Sequence, residues 1–125
     1  MSQQAAVQHA PADKLLNALA AFTHEASVAL DPKTARAAKV AVLDTLAVAL
    51  GALRHPAAQA ARRYACFSEV AAGARLWGSG RVVTAEAAAL VNGVPLRGYD
   101  YNDLYSSKGG GHPSDMIPGL VALAE

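Results

Sequence analysis

The sequence carries a single cysteine, Cys66, so no internal disulfide can staple the chain. Set in an apolar helical context, Cys66 reads as a small buried hydrophobe. Neither sign of charge dominates: eleven Lys and Arg stand against ten Asp and Glu, a net of +1, with no long run of either. That balance leaves no electrostatic footprint for nucleic acid or for an anionic membrane. Long apolar runs are also missing. The longest uncharged one, TLAVALGAL from Thr45 to Leu53, is about half of what a bilayer-spanning helix requires. The opening segment, MSQQAAVQHAPADK, has neither a basic n-region nor an apolar h-region, so no secretory signal is visible and a cytoplasmic chain is expected. His9, His24, His55 and His112 show no paired spacing of the H-x-x-x-H kind, which gives a metal no ligand set. GSG at 78–80 lacks a third glycine and a convincing preceding strand, so no nucleotide loop is read there.

What remains is 53% apolar, alanine-rich and only 17% charged, a composition that folds. Residues 1–11 have no period and read as a flexible leader. From Asp13, the stripe Leu15, Leu16, Leu19 and Phe22 predicts a first helix. Asp31 as N-cap and Pro32 at the first helical position predict a second, through Leu50, whose C-terminal half is apolar nearly all round and expects cover on most sides. Pro56 opens a third over PAAQAARRYACFSEV, with Ala57, Ala60, Tyr64 and Phe67 on one face and Arg62 and Arg63 outward. ARLWGSGRVV breaks the helical pattern and suits a short strand or extended connector. Thr84 is the N-cap expected for AEAAALVNGVPLRG, which Pro95 should kink or end. Ser114 or Asp115 should cap a last helix, MIPGLVALAE, with Pro118 in its first turn. Five helices make the expected class all-α, and the stop at Glu125, inside apolar helix without a C-cap glycine, reads as an incomplete domain or fragment.

Polar and titratable residues concentrate in DYNDLYSSKGGGHPSD, residues 100–115. By composition alone such a stretch is an exposed loop. If helical, it would put Asp100 and Asp103 on one face, and the glycines at 109–111 would let the chain fold back so that His112 meets a carboxylate. An imidazole with an orienting acid is the minimum for proton transfer. Lys108 is a surface lysine able to attract an anion, and Ser114, though part of HPSD, suits a helix cap better than a catalytic triad, whose members converge from separate elements.

Three blocks, AKVAVLDTLAVALGA (38–52), AEAAALVNGVPLRGYDYND (85–103) and GHPSDMIPGLVALAE (111–125), resemble successive N-terminal blocks of the MmgE/PrpD family. That family includes 2-methylcitrate dehydratase, cis-aconitate decarboxylase and iminodisuccinate epimerase. The resemblance covers residues 13–125 and implies that 12–125 is the N-terminal segment of a large all-helical domain. A smaller lid domain and the rest of the site would lie beyond this chain, in a protein that is a homodimer at full length. It implies a small di- or tricarboxylate substrate and no metal or nucleotide cofactor. Asp100 matches the first acid of the family motif, Asn102 and Asp103 the pair that follows, and His112 the histidine of its HPS signature. The candidate catalytic residues are therefore His112, Asp100 and Asp103, the two aspartates in supporting roles, and the candidate substrate contacts are Asn102, Lys108 and Ser114. Asn at the third position of DYNDLY, and His112 twelve positions after Asp100, resemble the dehydratase branch. Leu104 departs from the pattern, standing where the family commonly has threonine. The expected activity is that of a cofactor-independent hydro-lyase. Decarboxylation or epimerisation within the family, and a non-catalytic helical or dimerisation module outside enzymology, stay as alternatives.

Overall fold

Asp13 opens the described part of the chain by accepting the N–H groups of Leu15 and Leu16 at 2.9 and 3.2 Å, which starts helix α1, Lys14–Ala26. The computed structural model describes residues 13–26 and 30–125, and the expected leader, 1–11, lies outside them. Two compact units part between Ala35 and Arg36. In the first, Leu15, Leu16, Leu19 and Phe22 stay exposed along α1. Asp31 caps the next helix, α2 (Pro32–Gly51), accepting from Lys33 N at 2.9 Å and Thr34 N at 3.1 Å. Hydrogen bonds from the Thr34 hydroxyl and backbone hold the Asp31 carboxyl below its ordinary value.

In the second unit, the C-terminal part of α2 buries Thr45, Val48 and Ala49, while Val40, Leu43 and Leu50 are exposed. Among the described residues the helix is thus covered on one side, not on most sides: Val48 and Ala49 pack with Leu96 and Trp77, while Val40, Leu43 and Leu50 stay exposed. His55 then caps α3, Pro56–Tyr64, with its Nδ1 accepting the Ala57 N–H at 3.3 Å. The expected continuation of this helix to Val70 does not form. A 3-10 turn, Ala65–Ser68, takes over, and Glu69–Arg75 extends as strand β1 because it finds a partner in β2, Val82–Val83. The inward face is Ala58, Ala61 and Ala65, one position on from the face the spacing suggested. Cys66 is correspondingly exposed rather than buried, since the turn carries it away from the helix's packed side. Arg62 also turns inward, donating from Nη1 to the Trp77 carbonyl at 2.9 Å.

The β1–β2 hairpin closes through Gly78 and Gly80, both at positive φ (79° and 68°), with Leu76 N bonded to Arg81 O at 2.8 Å. Its register shifts between Glu69 and Ala74, and Gly73 lies in that bulge. A Cβ there would stand 2.2 Å from the Val83 carbonyl oxygen. Thr84 caps α4 (Ala85–Gly93) as expected, accepting from Ala87 N at 3.4 Å, and Pro95 falls in a 3-10 turn, Val94–Arg97, that ends it.

A second hairpin pairs β3, Tyr105–Ser106, with β4, Gly110–Gly111. A 3-10 turn at Pro113–Met116 then leads into α5, Ile117–Ala124, with Pro118 in its first turn. Neither Ser114 nor Asp115 caps that helix through its side chain. The architecture is therefore mostly helical with two small antiparallel sheets, not all-α. The sequence hides the sheets because β1 is alanine-rich and the other strands are two residues long.

The core joins Leu76 and Val83 of the first hairpin to Ala87, Ala88 and Val91 of α4 and Ala122 of α5. Burying a side chain the size of Leu76 or Val91 stabilises by roughly 1.5–3 kcal/mol. Asn92 ties the same elements together with both ends of its amide. Its Oδ1 accepts from Trp77 N and its Nδ2 donates to Arg75 O, each at 3.0 Å. Among the described residues, no helix is long and apolar enough to cross a membrane.

Candidate functional site

The chain between the end of the 3-10 turn and β3 is irregular, so Asp100 and Asp103 do not share a helical face. Asp100 instead takes a left-handed backbone, φ 55°, a conformation aspartate tolerates better than most residues. From there its carboxylate meets Arg97 Nη2 at 2.9 Å. Arg97 Nη1 donates to Asn102 Oδ1 at 3.1 Å. Asn102, 9% exposed, passes the contact inward, its Nδ2 donating to Ser114 Oγ at 2.9 Å.

Asp103 reaches across the base of the second hairpin to the same Ser114. Its carboxylate accepts the Ser114 N–H at 3.1 and 3.2 Å, the position at the start of the Pro113–Met116 turn that a local cap would serve. Its backbone carbonyl meets His112 Nδ1 at 2.5 Å. A carbonyl can only accept, so Nδ1 carries the proton in this contact, and in the neutral ring Nε2 holds the lone pair. The histidine is thus oriented by the aspartate's backbone rather than by its carboxylate, which is committed to Ser114.

These contacts place the sequence candidates in distinct positions. Asn102, Asp103, His112 and Ser114 form one connected network, with Ser114 fully buried and His112 and Asp103 half-buried. Asp100 joins it only through Arg97 and stays exposed. Lys108 sits exposed between the strands of the β3–β4 hairpin. Leu104 is 71% exposed. Among the described residues, no group of three or more His, Cys, Asp or Glu could hold a metal ion.

Beside the network lies an open cleft of about 520 Å³. Ala57, Ala89, Leu90 and Val94 give it an apolar wall, and His55, Arg97 and Asp115 supply its charged and titratable edge. Gly98 lets His55 approach, since a Cβ there would come within 3.0 Å of the imidazole. Tyr99 packs edge-on to His55, ring centroids 5.1 Å apart, and stacks on Tyr101 at 5.9 Å.

Residues 17–125 match the MmgE/PrpD N-terminal domain. The chain belongs to the MmgE/PrpD family. Over 118 residues it is 33% identical to a Saccharomyces cerevisiae protein named probable 2-methylcitrate dehydratase, a match that covers 90% of this chain and 22% of that protein. The chain therefore spans about a fifth of the length of that curated relative. No solved structure matches it.

Three residues outside the sequence candidates hold these elements together. Arg97 and Asn92 both fall inside AEAAALVNGVPLRGYDYND, where neither stands out as a candidate. Asn92 fastens the first hairpin, and Arg97 joins the cleft to the network. His55 read as one more unpaired histidine, and its place before Pro56 was the available sign that it caps a helix.

Proposed function

We propose that the whole protein is a hydro-lyase acting on a small polycarboxylate such as 2-methylcitrate, with His112 as its proton-transfer group. The observation that carries this reading is the contact of His112 Nδ1 with the Asp103 carbonyl, which leaves Nε2 as an acceptor in a fixed direction. The name of the yeast relative points to the same chemistry.

Dehydrating a 2-hydroxy tricarboxylate removes a proton from the carbon next to a carboxylate, and the electron pair released forms the new C=C bond. The C–O bond breaks, and the hydroxyl leaves as water with a proton drawn from solvent at the open site. His112 Nε2 takes the carbon-bound proton. Asp103 has a supporting role, since its carboxylate fixes the start of the turn that carries His112 and its carbonyl fixes the ring. Asn102 and Ser114, buried and bonded to each other, position neighbours rather than touch substrate. Lys108 serves at most as an exposed attraction for an anion.

Incubating the protein with 2-methylcitrate and identifying the product tests the reading. An unsaturated tricarboxylate is the expected product, and His112→Ala should lower kcat/KM by about a hundredfold or more. Carbon dioxide release or racemisation without dehydration would move the protein to a decarboxylase or epimerase. Turnover at the wild-type rate in His112→Ala would overturn the assignment of the base.

A further inference from the structure

Arg97 stands where the cleft meets the His112 network, and its two terminal nitrogens are held very differently. One donates to Asn102, a buried amide already locked to Ser114. The other rests on Asp100, whose side chain is 73% exposed on a left-handed turn. An ion pair that exposed is worth little, because water competes for both charges. Guanidinium presents a planar fork suited to carboxylates, so another carboxylate can take the place of Asp100 without moving the nitrogen fixed by Asn102.

We propose that Arg97 is the specificity-determining residue for the substrate's carboxylate, exchanging Asp100 for it while Asn102 keeps the guanidinium in position. The inference rests on the polycarboxylate reading above and adds the group that recognises the acid. The rest of the cleft's edge fits a hydroxy acid. His55 Nδ1 is occupied as the acceptor of the Ala57 N–H, which leaves Nε2–H as a second donor on a residue lining the cleft. Asp115 lines it too, and its charge opposes a second carboxylate there but accepts a hydroxyl.

Titrating the protein calorimetrically with propane-1,2,3-tricarboxylate, which has no hydroxyl to lose, reads binding apart from turnover. Arg97→Gln should weaken binding by about tenfold to a hundredfold, the loss of one charged hydrogen-bond pair. Arg97→Lys, which keeps the charge and loses the fork, should weaken it by about tenfold and decides the matter if the Gln variant does not fold. Asp100→Asn removes the competing charge and should tighten binding about threefold. Undiminished binding in the arginine variants, or weaker binding in Asp100→Asn, overturns the proposal. If the wild type converts 2-methylcitrate while Arg97→Gln and Arg97→Lys bind normally, this inference alone fails. If the wild type neither binds the tricarboxylate nor converts 2-methylcitrate, the functional reading fails with it.

Discussion

The two hairpins are each fastened by one asparagine, and the two amides are spent on different kinds of partner. Asn92 bonds two backbone groups, Trp77 N and Arg75 O, and so closes the β1–β2 hairpin onto α4. Asn102 bonds two side chains, Arg97 and Ser114, at the foot of the β3–β4 hairpin. An amide satisfying backbone groups replaces water that cannot reach them, and its loss falls on stability. On the function proposed above, an amide between side chains fixes where reactive groups stand, and its loss falls on chemistry.

The largest expected effect separates these roles. Asn92→Ala leaves one donor and one acceptor unmet and should cost about 2–4 kcal/mol in urea unfolding. Under conditions where both variants are folded, it should leave kcat/KM close to wild type, whereas Asn102→Ala should lower it by about tenfold, one charged hydrogen bond's worth. Equal losses of stability and equal kinetics in the two variants would erase the distinction.

A smaller effect probes the same contrast through glycine. Gly73→Ala drives a Cβ into the Val83 carbonyl oxygen and should destabilise by about 1–3 kcal/mol. Gly110→Ala meets nothing closer than 3.9 Å, from the Tyr105 carbonyl oxygen, and should stay within about 0.5 kcal/mol.

The smallest effect is a pH dependence at the end of β1. The Arg75 N–H, foremost, lowers the Glu125 carboxyl's pKa; desolvation opposes it, and the Arg75 guanidinium adds to the lowering. A carboxyl with a lowered folded-state value adds stability that is present above its unfolded value and lost as pH falls through the folded one. Thermal midpoints should therefore decline on acidification from about pH 6 to about pH 3, and Glu125→Gln should flatten that part of the curve.

The elements that local chemistry specifies were legible in the sequence. Asp13, Asp31 and Thr84 cap the helices they precede, and Pro95 ends α4, because each acts within a few residues of itself. Elements specified by distant partners were not. Helix propensity favours alanine at 71, 72 and 74, but pairing with Val82 and Val83 draws that stretch, with Gly73 in its bulge, into a strand, and the turn before it carries Cys66 outward. Ser114 has the composition of a local cap, yet Asp103, eleven residues earlier, serves its N–H. The motif's aspartate and histidine were legible as candidates; Arg97 was not, because only the fold brings its guanidinium to Asn102 and the cleft.

The bond from Ser114 to Asp103 has a consequence for the segment it spans. Both ends of the β3–β4 hairpin are pinned to each other beneath it, by this bond and by the His112 contact. Extra residues at the tip then cost only the slow logarithmic growth of loop closure and transmit little to the pinned base. The tip of the hairpin is a place where residues can be added or changed without displacing His112.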